Sequence, residues 1–188
     1  MLILVRHGRT AANAEGRLQG RLDLPLDDVG LAQAAAVGRL VGRVDEVVCS
    51  PLTRAVQTAA AIETGSRRVD ERWIEIDYGR HDGVRAVDVP PDVWAMLRSD
   101  LDFVPAGGES QRQVHARVLE AVGDLVERAR DADVVVVSHV TPIKLAVGWA
   151  LGCGPEVTWR MHLGQGAVSR IRIGDHAPVL VTFNETPT

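Results

Sequence analysis

Met1-Leu-Ile-Leu-Val-Arg-His-Gly-Arg-Thr10 is the stretch that decides the fold, because an apolar run leads directly into two basic residues and a glycine. A short, continuous aliphatic run is typical of a strand that is buried on both faces of a sheet. The sequence therefore predicts a strand at residues 2–5, with Arg6 and His7 placed where that strand ends.

Similar aliphatic runs recur along the chain, and longer segments rich in alanine and leucine separate the early ones. Further strands are predicted at residues 46–49, 134–138, 167–173 and 179–184. Helices are predicted at residues 28–42, 53–63, 110–130 and 143–151. Asp28 is the expected N-cap of the first helix. This alternation predicts an α/β fold, a three-layer α/β/α arrangement with a mostly parallel central sheet.

Residues 77–108 have a different composition, with Pro90-Pro91, Pro105 and Gly107-Gly108 close together. Such residues interrupt regular structure, so we predict an irregular excursion over the functional site, with a short helix at residues 93–98. The chain has 188 residues and shows no internal repeat or interdomain linker. We therefore expect a single domain over residues 1–188.

The composition argues against several classes of protein. The net charge is −4 and no long Lys/Arg run is present, so no nucleic-acid partner is expected. No apolar stretch approaches the roughly 20 residues that cross a bilayer, so no membrane span is expected. The first residues lack the pattern of a signal peptide, and Cys49 and Cys153 are too few for a disulfide framework. We therefore expect a cytoplasmic protein.

Basic residues follow three of the predicted strands. Arg6 and His7 end the first strand, Arg54 lies just beyond the second, and His139 follows the third. The carboxyl ends of neighbouring parallel strands meet at one edge of a sheet, where ligands bind. Guanidinium groups match the oxygens of a phosphate, and a neutral imidazole can attack phosphorus. This arrangement predicts a phosphate site with His7 as the nucleophile.

Arg6-His7-Gly8-Arg9-Thr10 resembles the opening signature of the histidine phosphatase superfamily, whose fold is called phosphoglycerate mutase-like. Further segments match this family in the same order: Asn13, Gln19-Gly20, Ser50 to Ala59, Glu75 to Gly79, Gly107 to Ser110, and Val137-Ser138-His139. The resemblance extends over nearly the whole chain, and it is closest to the acid phosphatase and alpha-ribazole phosphatase-like domains.

The resemblance implies a phosphohistidine intermediate on His7 and an acid/base carboxylate at Glu75. It implies the catalytic residues His7, Glu75 and His139, and the substrate-binding residues Arg6, Asn13, Gln19, Arg54 and Val140. Asp77 and Asp82 are competing carboxylates for the proton transfer, since Asp82 stands where many relatives carry glutamate. A second departure is Val140 to Lys144, where many relatives carry small glycines.

The expected activity is hydrolysis of a small phosphomonoester without metal ion or cofactor, with a small phosphorylated substrate or inorganic phosphate as the bound partner. The first alternative is a phosphoglycerate mutase, which the compact excursion disfavours because mutases of this family usually enclose the substrate with longer insertions. The second is a non-catalytic phosphate-binding module, which needs neither His7 nor Glu75. A homodimer and the identity of the natural substrate are left open.

Overall fold

A six-stranded sheet forms the centre of the computed structural model, which describes residues 1–187. Its strands are β1 Leu2–Arg6, β2 Glu46–Cys49, β3 Arg67–Val69, β4 Val134–Ser138, β5 Val168–Arg172 and β6 Val179–Glu185. The spatial order is β3-β2-β4-β1-β5-β6. The first four of these strands are parallel, whereas β5 and β6 are antiparallel to their neighbours. The prediction of a mostly parallel sheet is confirmed.

Helices cover both faces of this sheet. They are α1 Ala11–Ala14, α2 Asp28–Val41, α3 Thr53–Ala60, α4 Pro91–Ser99, α5 Gln111–Val126, α6 Arg128–Asp131 and α7 Val140–Ala150. Successive residues of β1 and β4 point to opposite faces, so that one core contains Leu2 and Leu4 and the other contains Ile3 and Val5. The first core packs on α5 and α7, and the second on α2 and α3. The three-layer prediction is confirmed.

Two short elements were not anticipated from the sequence. Strand β3 is exposed throughout and begins with two arginines, so it lacks the apolar pattern of the buried strands. Helix α1 has only four residues, and its start is stabilised by a capping box between Thr10 and Asn13. Strand β3 forms by pairing with β2, and α1 is stabilised by side-chain capping. Neither interaction is visible in a hydrophobic pattern.

Several predicted helix boundaries were wrong. Helix α7 begins at Val140, three residues earlier than predicted, because Pro142 lies in the first turn, where backbone N–H groups lack intrahelical partners. Asp27, rather than Asp28, is the N-cap of α2, and its side chain accepts from the Gly30 N–H at 2.8 Å.

The other boundary differences lie at helix ends. The helix predicted at 110–130 is divided into α5 and α6 around Glu127, and α3 ends at Ala60. The short helix predicted at 93–98 is longer and starts at Pro91, a favoured first position for proline.

Residues 77–108 contain a 3-10 turn at Gly79–His81 and helix α4. Their backbone pairs with the loop that follows α1: the Leu18 N–H donates to the Val84 carbonyl at 2.9 Å, and the Gly83 N–H donates to the Leu18 carbonyl at 2.7 Å. The excursion therefore supports one wall of the site described below. Within residues 1–187, none of the helices combines the length and apolar character that a bilayer crossing requires.

Candidate active site

The carboxyl ends of three neighbouring strands meet as the sequence predicted. Strand β4 lies between β1 and β2, and the His7 N–H donates to the Ser138 carbonyl at 3.0 Å. A cavity of about 200 Å³ opens at this edge. It is lined by Arg6, His7, Asn13, Arg17, Leu18, Gln19, Gly20, Arg54, Glu75, Tyr78 and Val140.

His7 is held as one defined tautomer. Its Nδ1 lies 2.7 Å from the Gly8 carbonyl oxygen, and because a carbonyl oxygen only accepts, Nδ1 carries the proton. The Nε2 lone pair is therefore left for a ligand. Burial, and then the positive charges of Arg6 and Arg54, hold the pKa of His7 well below its ordinary value. The imidazole is neutral at physiological pH, as a nucleophile requires.

His139 lies behind the cavity wall rather than in it. The side chain is fully buried, and its ring centroid lies 5.0 Å from that of His7. Arg54 Nε donates to His139 Nδ1 at 3.3 Å, so that Nε2 carries the proton and donates to Ser50 Oγ at 2.7 Å. Burial and the Arg54 charge lower the pKa of His139. His139 therefore contacts Arg54 and Ser50 through hydrogen bonds and lies next to the His7 ring.

Two arginines give the cavity its positive character. Arg54 donates to the Leu22 carbonyl at 2.6 Å and the Gly20 carbonyl at 2.8 Å, which fixes its guanidinium plane. Arg6 donates to the Leu163 carbonyl at 2.5 Å, whereas its buried Nε has no partner among residues 1–187. Burial lowers the pKa of Arg6 to about 10. Two buried guanidinium charges beside one carboxylate favour an anionic ligand.

Glu75 is that carboxylate, and the backbone holds it in place. Its Oε1 accepts from the N–H groups of Ile76 at 2.9 Å and Thr141 at 3.2 Å, and its Oε2 accepts from the Val140 N–H at 3.0 Å. Two of these donors belong to the first turn of α7, where the helix dipole also favours a negative charge. Glu75 is buried and lines the cavity, so it lies within reach of a bound phosphate ester.

The two competing carboxylates do not line the cavity, and backbone N–H groups of nearby loops hold them in place. Asp77 accepts from the Gly79 N–H at 2.7 Å. Asp82 accepts from the N–H groups of Arg21 at 2.9 Å and Tyr78 at 3.3 Å. Burial raises the pKa of Asp82 to about 6, a value suited to a proton donor, but the carboxyl lies against Gly20 and is not part of the cavity lining. Position therefore favours Glu75.

Seven of the eight site residues predicted from the sequence line the cavity, and His139 is the exception. Asn13 completes the capping box of α1 by accepting from the Thr10 N–H at 3.2 Å, and the buried Gln19 Oε1 has no partner within residues 1–187. Four further lining residues were not assigned a role from the sequence: Arg17, Leu18, Gly20 and Tyr78. Gly20 and Tyr78 stand inside segments that match the family, and this could have identified them.

Comparison with known proteins finds relatives over most of the chain. A bifunctional protein of Mycobacterium tuberculosis is 36% identical over 180 residues, which cover 89% of this chain and 49% of that protein. The chain thus spans about half the length of this curated relative. Glucosyl-3-phosphoglycerate phosphatase of Mycolicibacterium vanbaalenii is 32% identical over 190 residues, covering 93% of this chain and 84% of the relative.

Solved structures are also similar to this chain over nearly its whole length. The phosphoserine phosphatase of Entamoeba histolytica, in complex with 3-phosphoglyceric acid, superposes with a TM-score of 0.89 at 28% identity, covering 98% of this chain and 96% of that one. The model of the histidine phosphatase superfamily (branch 1) matches residues 2–186. Because the match spans the sheet and all three strand ends that form the cavity, the chain belongs to branch 1 of the histidine phosphatase superfamily.

Proposed function

We propose that this protein hydrolyses a small phosphomonoester through a phosphohistidine intermediate on His7. One observation carries the proposal: a neutral imidazole with a free Nε2 lines the same cavity as two buried arginines and one backbone-held carboxylate. A phosphoryl group needs charge neutralisation and positioning more than covalent assistance, and this cavity supplies both.

The residues define a two-step reaction. Arg6 and Arg54 hold the phosphate oxygens while His7 Nε2 attacks phosphorus and the ester P–O bond breaks. Glu75 holds a proton once the anionic phosphate is bound beside its carboxyl group, and it gives that proton to the leaving oxygen. As a carboxylate it then removes a proton from water, the water oxygen attacks the phosphohistidine, and the P–N bond breaks to release inorganic phosphate. His139 keeps Arg54 in position during both steps.

The names of the relatives suggest the class of substrate. They include phosphatases for phosphoserine and glucosyl-3-phosphoglycerate, and a complex with 3-phosphoglyceric acid. A cavity of about 200 Å³ has room for a phosphoryl group and a small part of the alcohol. We therefore assign the substrate to the small phosphorylated metabolites.

We further propose that residues 1–188 act as one catalytic domain without a metal ion, and that they do not bind nucleic acid. The charge that a metal ion would supply to the phosphate can come from Arg6 and Arg54. A cytoplasmic location is supported by the free thiols of Cys49 and Cys153. Size-exclusion chromatography with light scattering distinguishes a monomer from a homodimer.

The test is hydrolysis of p-nitrophenyl phosphate in excess EDTA. We expect turnover by the wild type, its loss in His7→Ala, and no change in His162→Ala, which alters an exposed histidine. Mass spectrometry of substrate-quenched protein should find the phosphoryl group on His7. Phosphate on another residue, or turnover that survives His7→Ala, contradicts the proposal. Isomerisation of phosphoglycerates dependent on a bisphosphorylated primer would establish the mutase instead.

A further inference from the structure

A second, smaller cavity adjoins the phosphate cavity and shares two of its lining residues, Tyr78 and Val140. Its volume is about 80 Å³, which is space for a few non-hydrogen atoms. Its other lining residues are Thr141, Lys144, Thr158 and Trp159. Glu75 binds the backbone of Val140 and Thr141, so the proposed proton donor lies at the boundary between the two cavities.

Lys144 is the only lysine of the chain and supplies the cation of this second cavity. It lies four residues after Val140 in α7, which places both on one face of the helix. The residue is partly buried, and among residues 1–187 it forms no ion pair. Burial is the main cause of the lowered pKa of Lys144. An ammonium group that is partly removed from water is stabilised when an anion binds beside it.

The other flanking cation of the phosphate cavity is already engaged. Arg17 donates to a carboxylate oxygen of Glu15 at 2.6 Å and to the Gly83 carbonyl at 2.9 Å. Its charge is therefore matched by the protein, whereas Lys144 has no carboxylate within 4.0 Å in the described chain, and the more distant Glu75 is the carboxylate that acts on its charge. An anionic group on the substrate should therefore bind more favourably beside Lys144 than beside Arg17.

Hydroxyl groups and an aromatic wall complete the second cavity. Thr158 Oγ1 accepts from Gln111 Nε2 at 2.7 Å, which leaves its own O–H free to donate. The Arg98 guanidinium carbon lies 5.7 Å from the Trp159 ring centroid and places a further positive charge near this wall. A planar, acceptor-only carboxylate matches these donors and the small volume.

We propose that the second cavity is a subsite for a carboxylate carried by the leaving alcohol of the substrate, with Lys144 as its counter-ion. This inference rests on the proposed function, because the phosphoryl group must occupy the neighbouring cavity. The substrate class is thereby narrowed to phosphomonoesters of small hydroxy acids. Glu75 then faces the ester oxygen, between the phosphate and carboxylate ends.

The test compares 3-phosphoglycerate with glycerol 3-phosphate, in which a hydroxymethyl group replaces the carboxylate. We expect the wild type to prefer 3-phosphoglycerate in kcat/KM by about 10- to 100-fold, the range of one hydrogen-bonded charge pair. Lys144→Met should remove this preference mainly through KM, and Lys144→Arg should restore most of it. Arg39→Met, which removes an exposed positive charge from α2, should leave the preference intact.

Binding to His7→Ala by calorimetry supplies a second readout that does not need turnover. The ratio of the Kd values of the two ligands should fall close to one when Lys144→Met is added. If Lys144→Met weakens the binding of both ligands equally, or if the wild type shows no preference, the proposed subsite is wrong. If hydrolysis of p-nitrophenyl phosphate depends on His7 while the ligand ratio stays unchanged, the subsite alone fails. If that hydrolysis does not depend on His7, the proposed function fails.

Discussion

At the scale of single residues, chemistry in the cavity depends on which groups the backbone holds. The Gly8 carbonyl selects the tautomer of His7, and three backbone N–H groups orient Glu75. Backbone partners are rigid, so both side chains are placed before a substrate arrives. Such preorganisation reduces the reorganisation that a transition state would otherwise require.

Exchange of Glu75 and Asp82 for their amides separates the two candidate proton donors. Glu75→Gln should lower kcat by about 10²–10⁴-fold, because the leaving oxygen loses its proton source. The loss should be larger for an alkyl phosphate than for p-nitrophenyl phosphate, whose leaving group needs less protonation. Asp82→Asn should cause a much smaller loss with no such dependence. The opposite ranking of the two variants would make Asp82 the acid.

At the scale of elements, helix α2 packs closely on the loop after β1. A Cβ added at Gly30 would lie 2.0 Å from the Arg9 carbonyl oxygen, and one added at Gly8 would lie 2.4 Å from the Gly30 carbonyl oxygen. Neither contact can be relieved by a side-chain rotation. These glycines allow the residues that follow His7 to pack directly on the helix.

Gly30→Ala should destabilise the protein although alanine is the better helix former. The gain in helix propensity is about 1 kcal/mol, and the forced backbone shift costs about 1–3 kcal/mol and moves the loop beside His7. Gly123→Ala in α5 is the matched control, because a Cβ there meets nothing within 4 Å. It should stabilise by about 0.5–1 kcal/mol. Urea unfolding measures both, and a stabilised Gly30→Ala protein would contradict the argument.

One arginine of helix α5 holds the segment that contains Glu75 in place. Arg117 donates to the carbonyls of Arg72 at 2.6 Å and Ile74 at 2.7 Å, and it forms a two-point ion pair with Glu109. Both side chains of this pair are largely buried, at 16% and 13% exposure. Arg117 is therefore a positioning residue for Glu75.

Arg117→Met should cost about 3–5 kcal/mol, because it leaves Glu109 buried without its main partner. It should also lower kcat more than it raises KM, since Glu75 loses its fixed place while Arg6 and Arg54, the proposed phosphate ligands, remain. The control is Arg112→Met on the same helix, where the ion pair with Asp102 is exposed and worth about 1 kcal/mol or less. Equal effects of the two variants would show that Arg117 has no positioning role.

At the scale of the whole molecule, the buried site makes stability depend on pH. The pKa values of His7 and His139 are lowered by burial and by neighbouring arginines, so the unfolded chain binds protons near pH 6.5 that the folded chain does not. Stability from these histidines is present above pH 6.5 and declines as pH falls below it. Asp82 acts in the opposite direction, because its raised pKa of about 6 lets the folded state keep a proton.

The free energy of unfolding should therefore decrease between pH 7 and pH 5, with each histidine contributing up to about 1.36 kcal/mol per pH unit. Asp82→Asn should make the decrease steeper, because the opposing carboxyl is gone. Urea unfolding at pH 7, 6 and 5 measures both slopes. A flat wild-type profile, or a shallower slope in Asp82→Asn, would contradict the assignment. Carboxylates with lowered pKa values, such as Asp27 and Asp70, act only at lower pH.

The sequence by itself determined the buried strands, the four main helices and the ordered motifs, because these depend on local apolar periodicity and on residues adjacent in the chain. It identified seven of the cavity residues for the same reason: each follows a strand or stands in a family motif. The exposed strand β3 and the start of α7 at Val140 were not predicted from the sequence, since neither carries a local hydrophobic signal.

Only the tertiary structure decided which carboxylate faces the cavity and that His139 lies behind it. Glu75, Asp77 and Asp82 are close in sequence and similar in chemistry, and only contacts with the distant Val140 and Arg21 separate their positions. The position of Lys144 beside the phosphate cavity is likewise invisible in the sequence. The physical reason is common to all three: burial and hydrogen-bond partners are set by residues far apart in the chain, which meet only when the sheet and its helices have packed.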